Sequence, residues 1–230
     1  MLVPFGDEIW IADGTNVQGL LGFHFPTRMA VIRLCSGDLF IWSPVALSED
    51  LRIAVNALGR VRHLVAPNTL HHLFISDWAQ AYPDAQVHGA PGVTRIIKTV
   101  PVDNELGNTP SPAWLEEIDQ VIMEGNRITR EVVFFHRSSS TALFTDLLQQ
   151  YPASWFTGWR ALIAEWDGLL GSEPGVPRKF RSAFNNRRAA RTALKHILSW
   201  PTTKVLMAHG EPITKDGRDF LIRAFRWLKS

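Results

Sequence analysis

The stretch Val61-Arg-His-Leu-Val-Ala66-Pro67-Asn68-Thr69-Leu70-His71-His72 decides the fold. Val61 to Ala66 is a short apolar run of the kind that forms a buried strand. Pro67 cannot donate to a β-ladder, and with Asn68 it stops that strand. Two histidines follow within a few residues of the stop. Leu73, Phe74, Trp78 and Tyr82 then recur at helical spacing, so His71 to Tyr82 reads as a helix ended by Pro83-Asp84. The unit is therefore strand, polar turn and helix, with imidazoles at the strand's carboxyl end.

The same grammar extends in both directions. Upstream, Glu8 to Ala12, Met29 to Leu34 and Leu39 to Ser43 read as strands, with Ser36-Gly37-Asp38 turning the second into the third. Ser48 precedes Glu49 and Asp50 as an N-cap. Leu51, Ala54, Val55 and Leu58 make the apolar stripe of the helix that follows, with Gly59 expected at its C′ position. Downstream, Ala85 to His88 reads as a strand and residues 100–115 as loop. Gln120 to Met123 and Glu131 to His136 read as a hairpin around Glu124-Gly125-Asn126. Ala142 to Thr145 is a further short strand running into Asp146, which either offers a carboxylate or caps a short helix from Leu147.

From Ser154 the texture is helical, with Trp155, Trp159, Leu162, Ile163, Trp166 and Leu170 on one broad face ending at Gly171. That face reads as core or interface and not as a membrane belt, with a dimer contact or a pocket wall as its surface roles. Ala190, Ala193, Leu194 and Ile197 mark another helix, Lys204 to Ala208 a strand ending at His209, and Phe220 to Leu228 a closing helix. Mixed strands and helices of this kind predict an α/β (α+β layered) fold, with helices outside sheets. No repeat or linker divides the chain, so residues 1–230 are expected to form a single domain.

Composition excludes several classes. A hydrophobic content of 46% and a charged content of 20% are those of a globular chain, not a disordered one. The single cysteine, Cys35, rules out a disulfide framework or a cysteine-rich zinc module and is expected to be buried. There is no basic n-region followed by an apolar run and no stretch of 18 apolar residues, so a cytoplasmic location without a membrane span is expected.

The net charge of +2 conceals an uneven distribution. Between Pro174 and Trp200 stand seven basic residues and no acid, which leaves 17 basic against 22 acidic groups elsewhere. Arg187, Arg188 and Arg191 of this block form either an anion-binding patch or a solvated helix face whose stems cover apolar surface. No nucleic-acid-binding motif accompanies them, so nucleic acid is not an expected partner.

Five groups suited to metal or acid–base chemistry stand at strand ends: His71 and His72, His136, Asp146 and His209. Imidazole and carboxylate together suit zinc, iron or manganese, and strand-ending loops are where layered folds build ligand sites. In this order they resemble the metallo-beta-lactamase superfamily, in a divergent branch, the domain of unknown function 4336. In that superfamily a strand ends in Thr-His-x-His-x-Asp-His; here Pro67 and Thr69 replace the first two histidines, His71 replaces the aspartate, and His72 matches. Phe134-Phe135-His136 resembles the strand of the third histidine, Thr145-Asp146 the bridging aspartate, and His209-Gly210 the last histidine.

The resemblance implies an αββα sandwich and hydrolysis of an ester, amide or phosphoester by metal-activated water. With two ligands lost, it implies a degenerate, mononuclear metal site. One divalent metal (Zn, Fe or Mn), or none, would be held by His71, His72, Asp146 and His209, with His136 as a further candidate. His71 and Asp146 would be the catalytic residues. The partner would be a small-molecule substrate or ligand, anionic if the basic block reads it, and a homodimer contact is open. The competing reading is a non-catalytic fold member whose former pocket is structural or binds an organic anion.

Overall fold

Ser48 starts the first helix as its position requires, its hydroxyl accepting the backbone N–H of Leu51 at 3.2 Å. In the computed structural model, which describes residues 1–229, that helix packs against a large sheet. The first half of the chain runs β1 (Val3–Gly6), β2 (Ile9–Asp13), β3 (Val17–Gln18), β4 (His24–Phe25), β5 (Arg28–Arg33) and β6 (Asp38–Trp42). It continues α1 (Glu49–Asn56), β7 (Arg60–Ala66), α2 (Ile75–Ala81), β8 (Gln86–Gly89), α3 (Val93–Ile96) and β9 (Asn104–Glu105). The second half runs β10 (Ile118–Met123), β11 (Glu131–His136), β12 (Thr141–Gln149), α4 (Trp159–Asp167), α5 (Arg178–Ser182), α6 (Arg187–Ile197), β13 (Lys204–His209) and α7 (Gly217–Ala224).

Two sheets result. One has the order β1-β2-β5-β6-β7-β8-β9, antiparallel as far as β6 and parallel from β6 onward. The other has the order β10-β11-β12-β13, antiparallel except for the parallel pair β12–β13. Alternation along the second sheet shows how the layers stack. Val132 and Phe134 join the core shared with the first sheet, whereas Val133 and Phe135 join a second core under α6 and α7. Phe40 of β6 meets Phe134 across the interface at 5.5 Å between centroids. Helices α1 and α2 pack on β7, α6 on β10 and α7 on β13. The layers are thus helix, sheet, sheet, helix, as the αββα expectation required.

Most expected elements form, and the departures have local causes. Gly59 is not a left-handed cap, because the first helix ends earlier at Asn56 with right-handed Ala57 as its C-cap. Residues 71–74 are turn, and α2 begins only at Ile75. No helix starts at Leu147: β12 continues to Gln149, so Asp146 is a strand residue and not a cap. Cys35 is exposed on the turn after β5, with Glu117 beside it raising its thiol pKa.

Candidate metal centre

Three strand ends build the site. Beyond β7, Asn68 is wholly buried and its Oδ1 accepts the backbone N–H groups of Leu70 and His71 at 2.8 and 2.9 Å. This side-chain turn directs the chain away from the strand and fixes His71. The Asn68 Nδ2 donates to Thr145 Oγ1 at 2.8 Å and to Asp146 Oδ2 at 2.7 Å, joining the two sheets at the site.

Asp146 is presented by an irregularity in β12. Its pairing with β13 slips between Phe144 and Gln149, freeing backbone amides that a regular ladder would use. The carboxylate of Glu131 takes them, accepting from Thr145 N, Asp146 N and Leu147 N at 2.7, 2.8 and 3.0 Å. Glu131 is fully buried, and desolvation, with the nearby Asp146 charge, pushes its carboxyl up to about 7.

His209 ends β13. Its Nδ1 faces the carbonyl of Pro26 at 2.8 Å, and since a carbonyl only accepts, Nδ1 carries the proton and Nε2 offers its lone pair. Arg28 donates to the carbonyls of Met207 and Gly210 and so holds the end of this strand. Gly210 follows at φ +148°, a conformation that side chains avoid.

These supports bring His71, Asp146 and His209 together, with one ligand atom from each lying within 4.8 Å of the others. His71 Nε2 is 3.1 Å from His209 Nε2. Asp146 Oδ2 is 3.4 Å from His71 Nε2, and its Oδ1 is 3.6 Å from His209 Nε2. Ligand atoms around one tetrahedral ion with bonds of ~2.0–2.2 Å stand roughly 3.3–3.6 Å apart. The donor set therefore fits a single ion.

Behind His71, Ser43 Oγ lies 2.8 Å from Nδ1, and Ser43 is itself held at φ +50°, an unusual backbone for a serine. Both imidazoles thus have their outer nitrogens engaged, as metal-ligating histidines do. Burial pushes the His71 imidazolium pKa down against the attraction of Asp146. Burial alone would raise the Asp146 carboxyl, but the two facing histidines outweigh it and hold it well below the usual carboxylate range. An ionised Asp146 and a neutral His71 are the forms that bind metal.

The other expected site residues lie elsewhere. His72 is half-buried, with its Nδ1 2.9 Å from the Thr69 carbonyl, and stands outside the cluster. His136 sits at the far end of the second sheet, because β11 runs antiparallel to β12 and pairs His136 with Thr141, not with Asp146. There its Nδ1 meets Ser139 Oγ at 2.8 Å. The carboxyl ends of β11 and β12 therefore face opposite ways, and the residue that β11 brings to the site is its first, Glu131. Arg187, Arg188 and Arg191 are exposed on α6, and none of them lines the cavity beside the cluster. Lys179, from the same basic block, does line it.

Sequence reading did not single out Ser43, Asn68 or Glu131. An acid opening an otherwise apolar strand, as Glu131 opens β11, was the available signal for the last of these.

The fold and the His–Asp–His cluster define the class: a metallo-beta-lactamase-fold protein with a candidate site for a metal. The chain belongs to the family described as "Domain of unknown function (DUF4336)", whose model matches residues 6–157. No curated protein matches the sequence. Among solved structures, the chain is similar to a metallo-beta-lactamase from Pontibacter korlensis, with 11% identity and a TM-score of 0.64, over 100% of this chain and 99% of the other. It is also similar to a metallo-beta-lactamase from Hirschia baltica, with 11% identity and a TM-score of 0.61, over 99% of this chain and 96% of the other. The flavodiiron core of Flv1 from Synechocystis sp. PCC6803 matches at 10% identity and a TM-score of 0.67, over 100% of this chain and 60% of that one. Likeness at these identities concerns the fold.

Proposed function

We propose that the chain acts as one domain holding a single divalent ion, zinc, iron or manganese, on His71, Asp146 and His209, and hydrolyses a small-molecule ester, amide or phosphoester. The observation that carries this reading is the convergence of the two imidazole Nε2 atoms and the Asp146 carboxylate to the spacing of ligands around one ion. An ion bound there supplies a Lewis acid and lowers the pKa of water. His71 and His209 hold it through nitrogens whose partner atoms are fixed by Ser43 and Pro26. Asp146 would share the ligation, and its second oxygen could orient water. The ligand set is narrower than the sequence implied, since His72 and His136 take other partners. The three residues also line a cavity, so an ion held by them would have room for water and substrate on that side. The cytoplasm, where thiols stay reduced, is the proposed location.

The second reading also rests on an observation. His71, His209 and Asp146 satisfy one another by direct contacts, so a closed, metal-free triad is chemically complete and would leave a binding pocket without hydrolysis. Metal analysis of protein purified without an affinity tag separates the two. About one equivalent per chain, lost in His209→Ala and in Asp146→Ala but kept in His72→Ala, supports the hydrolase. Less than a tenth of an equivalent, with no gain in melting temperature on adding zinc, iron or manganese, supports the metal-free pocket.

A further inference from the structure

The cavity above His71, Asp146 and His209 has a volume of about 460 Å³, within the roughly 300–1,000 Å³ range of small-ligand sites. Its walls are Phe25, Phe74, Leu169 and Phe180, with Leu20 and Leu21 of the turn between β3 and β4 overhanging it. Apart from the cluster itself, the charged side chains lining it are Asp167 and Lys179, and these face each other at 3.8 Å. Lys179 is therefore partly neutralised where it stands, and Asp167 Oδ1 also accepts the Lys179 backbone N–H at 2.7 Å. This is not the wall of a site for a highly charged ligand.

A separate observation concerns the mouth. Of the fourteen large apolar side chains exposed among the described residues, five line this cavity: Leu20, Leu21, Leu70, Leu73 and Ile163. Exposed apolar surface is thus concentrated where a ligand enters. Concentration of this kind marks a binding site, whereas scattered exposure does not.

We propose that the substrate carries an uncharged apolar arm, a medium-chain alkyl, acyl or aryl group, which fills the cavity and sets the hydrolysable bond at the cluster. The specificity of the proposed hydrolase then resides in the turn between β3 and β4 and in α4, and not in the basic helix α6. This rests on the hydrolase reading for the reaction but not for the binding, and the experiment keeps them apart.

Metal-free protein is titrated with N-alkyl acetamides of increasing chain length, and the dissociation constant is read by calorimetry. Affinity is expected to rise about threefold to fourfold per methylene until the cavity is full. Leu73→Glu, at the exposed mouth, should weaken the longest ligand at least tenfold, and Leu169→Trp, which fills the cavity, should abolish its binding. A dissociation constant independent of chain length, or one that Leu73→Glu leaves unchanged, overturns the proposal. Zinc-loaded protein is assayed in parallel on p-nitrophenyl acetate and decanoate. Graded binding without turnover of either ester rejects the hydrolase reading and keeps the apolar pocket. Equal kcat/KM on both esters without graded binding rejects the pocket and keeps the hydrolase.

Discussion

The amide nitrogen of Asn68, in the bend after β7, donates across 2.7 Å to the carboxylate of Asp146 in β12, although the two residues are 78 positions apart. The same Asn68 side chain accepts from the backbone of His71. One residue thereby sets the distance between two members of the cluster. Asn68→Ala is expected to leave buried donors and acceptors unpaired, costing about 2–4 kcal/mol of stability. It should also weaken zinc binding roughly tenfold to a hundredfold. Urea denaturation and a competition titration against a chelator measure the two effects. Unchanged zinc affinity in a folded variant would show that Asn68 does not position the ligands.

Ser43 supports the other side of His71. Ser43→Gly keeps the left-handed backbone at φ +50° available while removing the hydroxyl that meets Nδ1. The expected result is near-native stability with zinc affinity lower by about tenfold. Ser43→Ala should show the same loss of affinity together with a stability loss of about 1 kcal/mol from the missing hydrogen bond, since its Cβ keeps the backbone strain that glycine relieves. Comparing the two variants separates the hydroxyl from the conformation.

Buried histidines away from the cluster give the protein an acid limit. Burial pushes His136 from 6.5 down to about 4, in spite of Glu117, Asp7 and Glu8 near by. Burial likewise takes His88 down to about 3, where it shares a contact of 3.1 Å with His63. Between pH 6.5 and these values the unfolded chain binds protons that the folded chain refuses, so stability falls as pH falls. His136 alone accounts for about 2 kcal/mol between pH 7 and pH 4.5. His136→Gln should narrow the difference between urea midpoints at those two pH values. An equal difference in wild type and variant would refute the assignment.

Two side chains hold the overhanging turn: Trp155, whose Nε1 donates to the His24 carbonyl at 3.0 Å, and the half-buried Arg160. Arg160 Nε donates to the Leu21 carbonyl at 2.9 Å while its guanidinium lies 4.7 Å from the Trp159 ring centre. Arg160→Ala should cost less than about 1 kcal/mol of global stability, since the contact is at the surface. Hydrogen exchange at residues 17–25 should nevertheless quicken, because a short hairpin has few other bonds to protect it. Unchanged exchange there would mean that the aromatic packing of Phe23 and Phe25 holds the turn without Arg160.

The layered architecture was legible because strand and helix periodicities differ. The apolar residues of α6, at positions 190, 193, 194 and 197, are those the structure buries. His71, Asp146 and His209 were legible because each follows an apolar run in the sequence, although only His209 ends its strand. The misplacement of His136 shows the limit of that signal: a strand's end is visible in the sequence, but its direction relative to its neighbours is not. Asn68 and Glu131 escaped for a different reason. Their roles depend on backbone groups left unpaired by a turn and by an irregular ladder, and no spacing of residues records such vacancies. The apolar face of residues 155–170 was legible as a stripe. Trp159, Leu162 and Trp166 are nonetheless exposed, because α4 turns its small residues Ala161 and Ala164 to a minor core with Tyr151 and Phe156.

The location of the cluster across the seam between sheets has a mechanical consequence. His71 stands on the turn that follows β7 of one sheet, whereas Asp146 and His209 stand on β12 and β13 of the other. An ion gripping all three would staple the two layers, closing a loop of 138 residues between His71 and His209. Loading would then be felt throughout the sandwich as resistance to its layers parting, with a melting temperature that climbs with free metal concentration. Calorimetry on the untouched chain would thus gauge the grip of the centre without any substrate in hand.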